Sequence, residues 1–372
     1  MNSNPSTVLL HLSLIDGVGP GTIQRLLAME KQHLSTLYAM TSGDLQHLCG
    51  ITREAAQKIV KGLTNISLLE KELYALEHDK ISLVTYFDNE YPELLRHIHA
   101  PPAVLYYNGI LPKTENVLAV VGSREANNYG KQVIQHLIPP LVNAGWVIAS
   151  GGARGADSMA HQITMETGGK TVAVLGSGLL HPYPSHIQKM FDAIIYSGGA
   201  LVSIFPLRTE PFPGNFPTRN RIISGISRGC VVIQAAVQSG ARITADYCLT
   251  QGREVFAVPG PIDDLLSEGC HALIAQGAKL TANAQDILAE FGQKINECAD
   301  SNQQSLLPFI TPLSNENSCI QDAILNACRQ PSSLDELLQA TEIPLIELTK
   351  LLFDLQVQGK LAQNLCGLWE KR

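Results

Sequence analysis

Val117-Leu118-Ala119-Val120-Val121-Gly122-Ser123-Arg124 is the stretch on which the fold turns. Five consecutive apolar residues suit a strand buried on both faces, as in a parallel sheet covered by helices. Gly122-Ser123-Arg124 ends the run, and a helical pattern follows from about Tyr129 to Val142. The same sentence then repeats. Trp146–Ala149 ends in Ser150-Gly151-Gly152-Ala153-Arg154-Gly155-Ala156-Asp157 and leads into a helix reaching about Thr167. Thr171–Leu175 ends in Gly176-Ser177-Gly178, before a helix at about Ser185–Tyr196. Ala200–Ile204, Cys230–Ile233 and Glu254–Val258 are further strands, each next to a helical segment. Strands alternating with helices define an α/β body with a parallel-rich sheet, whose ligands sit at the carboxyl ends of strands.

The 372-residue chain is long enough for two or three domains. With 45 % hydrophobic and 16 % charged residues, most of it has the means to fold. No apolar run reaches a membrane span and no signal-type N-terminus is present, so a cytoplasmic location is expected. The net charge of −7 argues against coating nucleic acid with the whole surface. Its distribution is uneven: residues 1–112 carry −3, 113–285 carry +2 and 286–372 carry −6. Eight scattered cysteines without a CxxC pair predict buried thiols, and neither a zinc site nor a disulfide framework.

On either side of the body the pattern changes. Residues 8–75 read as short amphipathic helices, with Gly17-Val18-Gly19-Pro20-Gly21 between two of them. This turn is either a helix-hairpin-helix whose amides meet phosphate or a plain helix–helix connection. Ile81–Tyr86 and Ala103–Tyr107 read as two short strands in a proline-broken connecting segment, the tyrosines serving packing. A Ser-, Asn-, Gln- and Pro-containing linker occupies 299–318. After it, helices at Ile320–Cys328, Leu334–Ala340 and Leu345–Gln358, then a ribbon around Cys366-Gly367, follow the winged-helix pattern. Glu347, Lys350 and Asp354 on the third helix suit protein contact or packing better than phosphate-rich DNA.

Chemistry concentrates at the strand ends. A glycine cluster alone serves a tight turn. Three clusters at equivalent strand ends, two with an arginine (Arg124, Arg154), describe a polyanion site built from backbone amides and guanidinium forks. Phe216-Pro217-Thr218-Arg219-Asn220-Arg221 adds two arginines, expected in the first turn of a helix begun by Pro217. That placement opposes the helix dipole and therefore suggests a ligand. Ser239-Gly240-Ala241-Arg242 opens another helix, and Pro259-Gly260 ends the last clear strand. A dinucleotide fingerprint is absent, and Gly169-Lys170-Thr171 precedes a strand, so it is not a phosphate-binding P-loop. Asp157 and His161, at i and i+4, are placed to touch, as a structural hydrogen bond or a catalytic pair.

These segments resemble the bacterial DNA-processing protein A family (DprA, or Smf). The resemblance rests on Val120–Arg124 with Tyr129-Gly130, Ser150–Asp157 with His161, Phe216-Pro217 with Arg219–Ile223, Ser239-Gly240 with Thr244-Ala245, and Gly252–Gly260. It implies a Rossmann-like core at 79–298, an N-terminal helical domain at 1–78 (SAM- or helix-hairpin-helix-like), and a winged-helix-like domain at 319–372. It also implies a non-enzymatic, cofactor-free and metal-free binder of single-stranded DNA in natural transformation. Such a protein protects incoming strands, helps load the RecA recombinase and forms a homodimer through the core.

The expected DNA-binding residues are Gly122, Ser123, Arg124, Gly151, Gly152, Arg154, Gly155, Lys170, Arg219, Asn220, Arg221, Ser239, Gly240 and Arg242. Asp157, His161, Pro259 and Gly260 are expected in support. Two positions depart from the family pattern: Ile204 and Gln234 stand where glutamate is common, which favours an anionic ligand. The competing reading is a nucleotide phosphoribohydrolase-like enzyme using the glycine-rich pocket; a third is an interaction scaffold.

Overall fold

A nine-stranded sheet in the order β1-β2-β6-β5-β4-β3-β7-β8-β9 carries the larger part of the chain. The computed structural model describes residues 4–28 and 31–293, and beyond them 324–328, 330–341, 348–349, 351–352, 355–356, 360–363 and 368–371. The chain divides into two units, Met1–Glu297 and Cys298–Arg372.

Among the described residues, five α-helices open the first unit, with a 3-10 helix at Lys31–Ala39 between the second and third: α1 (Pro5–Ser13), α2 (Pro20–Leu27), α3 (Ser42–Cys49), α4 (Arg53–Leu63) and α5 (Ile66–His78). Asn4, Thr41 and Thr52 cap α1, α3 and α4 with their side-chain oxygens, satisfying amides that have no partner inside the helix. The glycine turn at Gly17 has a counterpart at Gly50. Both lie three residues before a helix, and both have φ in the left-handed region, at 78° and 58°. Val18 and Ile51 follow them and are both buried. The two hairpins brace each other: the Lys58 side chain of α4 lies against Gly17, and Arg25 of α2 donates to the Gly50 carbonyl.

The body follows as β1 (Ser82–Thr85), α6 (Glu93–Arg96), β2 (Val104–Gly109), β3 (Val117–Val121), α7 (Asn128–Asn143), β4 (Val147–Ser150), α8 (Ala156–Glu166) and β5 (Thr171–Val174). It continues with α9 (Gln188–Tyr196), β6 (Ala200–Ser203), α10 (Asn215–Gly225), β7 (Gly229–Val232), α11 (Gly240–Thr250) and β8 (Glu254–Ala257). It ends with α12 (Leu265–Ala275), β9 (Lys279–Leu280) and α13 (Ala284–Glu290). The strands from β6 to β9 in the sheet are mutually parallel. The two strands expected in the connecting segment do not stand apart: β1 and β2 extend the same sheet, antiparallel.

Alternate residues of each strand feed opposite cores, as the period of two requires. Leu118 and Val120 pack on one face with Ile134 and Leu141 of α7, Ala160 of α8 and Ile287 of α13. Val117, Ala119 and Val121 pack on the other with Ile222 of α10, Ala245 of α11 and Leu273 of α12. A further cluster runs from Val8–Leu10 and Leu12 of α1 through Phe191 and Ile194 of α9 to Ala173 and Tyr106. The opening helices thus share a core with the β5–β6–β2 half of the sheet. The chain leaves β3 towards β4, β5 and β6, then returns to β7 on the other side of β3. This reversal opens a crevice at the carboxyl ends of β3 and β7.

Among its described residues the second unit has helical backbone at 324–327, a helix α14 (Leu334–Thr341), and an antiparallel pair β10 (Leu361–Gln363) and β11 (Trp369–Lys371). Ile324, Cys328, Leu337, Leu348, Leu352, Leu355 and Leu361 form its core. The linker at 299–318, the residues Glu347, Lys350 and Asp354 and the Cys366-Gly367 turn lie outside the described residues. No helix among the described residues is long and apolar enough to cross a membrane. Cys49, Cys230, Cys248, Cys270 and Cys328 are buried.

Candidate functional site

Three turns meet at the carboxyl tips of β3, β4 and β5. After β3, the Ser123 amide donates to the Gln234 carbonyl at 2.7 Å, and the Ser123 carbonyl accepts from Ala156, the first residue of α8, at 3.1 Å. After β4, Ser150 Oγ donates to the Val120 carbonyl at 2.6 Å, tying the two strand ends together. Gly155 has φ +83°, and a Cβ there would collide with the Ser123 carbonyl, so no other residue lets these turns close on each other. Arg124 and Arg154 emerge from the two turns and are exposed. Arg154 Nε donates to the Arg124 carbonyl at 3.4 Å, which places the Arg154 side chain beside the Arg124 backbone.

An aromatic floor adjoins them. Phe216 of α10 is half-buried, with the Arg124 guanidinium 5.8 Å and the Arg219 guanidinium 5.9 Å from its ring centroid. Tyr183, 47 % exposed, tilts against Phe216 with centroids 5.8 Å apart. The sequence reading did not single out either ring as a site residue. A lone aromatic carries no periodic signal, and only the fold brings Tyr183 to α10.

Arg219 is not a surface arginine of a first helical turn. Helix α10 begins at Asn215, so Arg219 falls in the second turn, and it is 4 % exposed. Its Nη1 donates to the carbonyls of Gly151 and Val174, binding the tips of β4 and β5 from the opposite helical layer. Burial lowers its pKa to about 10, with Asp157 pulling the other way, so it remains a cation at neutral pH. Burial raises the pKa of Asp157, and Arg219 together with the Ala153 amide, at 3.2 Å from Oδ2, opposes that rise. Arg219 and Asp157 form the inner support on which the exposed arginines stand.

Asp157 and His161 do not pair. Thr171 Oγ1 donates to the Ile148 carbonyl at 2.7 Å, which leaves it to accept from His161 Nδ1 at 2.6 Å. Burial, reinforced by Arg219, pushes the imidazole pKa down to about 3, so the ring is neutral. A catalytic reading of the pair has no geometry behind it.

The structure separates other expected residues from this cluster. Lys170 precedes β5 and therefore stands at the amino edge of the sheet, with Lys113 and Gly199 beside a cleft. A residue on the wrong side of a parallel strand cannot reach the carboxyl tips. Arg221 points away from Arg219 on α10, and its Nη1 donates to the His99 and Ala100 carbonyls at 2.9 and 2.6 Å. Burial lowers its pKa.

Ser239, Gly240 and Arg242 do reach the carboxyl edge, at the start of α11, where Asn220 Nδ2 donates to Gly240 at 3.3 Å. Arg242 Nη1 donates to the Val237 carbonyl at 2.9 Å. Pro259 and Gly260 are braced by the Tyr129 hydroxyl and by His271 Nε2, the latter at 3.0 Å.

Gln234 has a local reason to be an amide. Its Nε2 donates to Asn127 Oδ1 at 3.1 Å while its Oε1 accepts from the Asn127 amide at 3.1 Å. A glutamate has no donor for the first of these bonds. Ile204 packs against the core on the α10 side.

A mostly parallel sheet covered by helices on both faces, with a crevice at its switch point, places the protein in the doubly wound α/β class. The model of the DNA recombination-mediator protein A family matches residues 82–292. The chain belongs to that family. It is 40 % identical to the DNA processing protein DprA of Bacillus subtilis over 229 residues, 61 % of this chain and 76 % of that protein. The crystal structure of DprA from Streptococcus pneumoniae superposes with a TM-score of 0.66 and 32 % identity, covering 76 % of this chain and 97 % of that one. A structure describing the single-stranded DNA binding mode of DprA from Helicobacter pylori aligns with a TM-score of 0.52 and 26 % identity, over 57 % of this chain and 95 % of that one.

Proposed function

We propose that this chain binds single-stranded DNA at the carboxyl edge of its sheet. The observation that carries the reading is the exposed Arg124, its guanidinium over the Phe216 ring that Tyr183 abuts and its carbonyl bonded by the exposed Arg154. Guanidinium groups neutralise successive phosphates, and an aromatic face stacks any base without reading its edge. The H. pylori relative, described as binding single-stranded DNA, supports it.

The wider role follows from the family: the chain acts in the cytoplasm during natural transformation, protects incoming strands and helps load the RecA recombinase. It works without covalent catalysis and without a cofactor, in keeping with a neutral His161 committed to Thr171. Dimerisation through the core is part of the proposal. Leu280 on the edge strand β9 is 50 % exposed, and Ile262 and Leu265 around the start of α12 are 92 % and 69 % exposed; such apolar exposure suits a second copy. The helices of 1–78 act as a helix-hairpin-helix-like domain before the 79–298 core, and 319–372 as a winged-helix-like domain after the linker.

Fluorescence anisotropy with a labelled oligothymidylate at low and high salt tests the binding reading. Wild type binds with a steep salt dependence, and R124E/R154E binds about a hundredfold or more weakly. Unchanged binding in that variant overturns the site. Release of free base from a nucleoside monophosphate would favour a phosphoribohydrolase instead.

A further inference from the structure

We propose that Glu72 of α5 is a positioning residue for the single-stranded DNA site, a role that rests on the binding reading above. It fixes the loop behind Gly176–Gly178 and so sets where Phe216 stands. Glu72 is 7 % exposed, although Glu70, Lys71, Leu73 and Tyr74 around it lie at the surface. A buried carboxyl group needs a donor to offset its lost hydration. Here the donor is the Leu207 amide, 2.8 Å from Oε1 and 135 residues away in sequence. The Tyr106 hydroxyl, buried on β2, lies beside the same carboxyl group, and burial holds that phenol in its neutral form.

From Leu207 the contacts lead directly to the site. The Leu207 carbonyl accepts from the Leu180 amide at 3.1 Å, and the Thr209 carbonyl accepts from the Gly178 amide at 2.8 Å. Gly178 lies so close to the carbonyls of Pro206 and Leu207 that any Cβ there would collide with them. At the other end of this turn, a Cβ on Gly176 would come within 2.8 Å of the Phe216 ring. Glu72, the 206–209 loop, the 176–178 turn and Phe216 therefore form one unbroken series of contacts.

Leu207 itself is buried in the core, but its neighbours in the loop border open space. A cleft of about 660 Å³, lined by Leu14, Lys71, Tyr74, Pro206, Arg208 and Thr209 among others, opens between it and the helices. The Glu72–Leu207 bond crosses the junction beside that cleft.

The test compares E72L, which keeps the bulk and removes the acceptor, with E72Q, which keeps an acceptor oxygen. Three measurements are made on the full chain: oligothymidylate affinity by anisotropy, hydrogen–deuterium exchange over 176–181 and 206–209, and thermal unfolding. E72L is expected to bind about fivefold more weakly, with faster exchange in both segments. E72Q is expected to stay within about twofold of wild type in affinity. R124E/R154E serves as the direct-contact control, losing binding with exchange at 176–181 unchanged.

A purely structural role would lower the unfolding temperature of E72L and leave affinity and local exchange of the folded protein as they were, which overturns the proposal. Equal loss in E72Q and E72L overturns the acceptor role. If wild type itself fails to bind, the DNA reading falls and takes the DNA part of this proposal with it. Unchanged exchange in E72L overturns the positioning whatever the DNA result.

Discussion

The two edges of the parallel sheet hold similar residue types and are built for different ends. At the amino edge, Lys113 and Lys170 stand beside Ile110, Leu111, Val147 and Gly199 around a cleft of about 390 Å³. At the carboxyl edge, Arg124 stands over Phe216, which Tyr183 abuts, and Arg154 bonds the Arg124 carbonyl just before α8. Cations and glycines occur at both. The amino edge also holds a guanidinium over rings, Arg228 before β7 against Phe291 and Trp146, but it is tied to Asn116; the carboxyl edge adds the exposed Arg124 and Arg154 and the buried Arg219–Asp157 support. Positive charge near a glycine therefore does not tell the two edges apart. Direction along the strand does, because a parallel sheet gathers all its outgoing turns at one end.

Four experiments would break or sharpen this contrast. Replacing the support has the largest expected effect. Arg219→Met leaves Asp157 buried without its cation, and stability should fall by about 3–5 kcal/mol in urea unfolding. A variant as stable as wild type would remove Arg219 from the foundation of the carboxyl edge. Next comes the direct comparison of edges. R124E/R154E should weaken oligonucleotide binding by about a hundredfold or more, whereas K113E/K170E should stay within about twofold. Equal losses at both edges would abolish the distinction. Phe216→Ala should cost about 1–3 kcal/mol of binding and flatten little of the salt dependence, since stacking releases no counterions. A changed salt slope would assign the ring a different role.

The fourth test concerns pH. An unfolded chain protonates His161 near its ordinary pKa of 6.5, and the folded protein only near 3. This group supports the fold fully above pH 6.5 and progressively less as the pH falls towards 3. The slope is at most about 1.4 kcal/mol per pH unit. His161→Gln should remove that slope from unfolding curves taken between pH 6 and 4. A retained slope would mean that the ring is charged in the folded protein.

Much of this architecture was legible in the sequence. The apolar runs from Val117 to Val258 each became a strand of the parallel set, because buried strands and their glycine turns are local signals. The exposed pair Arg124 and Arg154 was legible for the same reason, since each follows its strand directly. Arg219 was not, because its helix starts at Asn215, earlier than Pro217 suggests, and one added turn rotates it inward. Lys170 shows the complementary failure: a residue just before a strand looks adjacent in sequence and lies a full strand length away. Gln234 departs from its family pattern for a reason visible only once Asn127 and Asp264 are beside it.

The mutual bracing of the Gly17 and Gly50 hairpins has a practical consequence for trimming the chain. Each hairpin supplies a side chain that the other rests on, so removing one undoes both. Removing the pair together, by starting at residue 82, strips the cover from Tyr106, Leu175 and Phe191. A shortened version would present that greasy surface to water and should clump at modest concentration unless those positions were recoloured with polar residues.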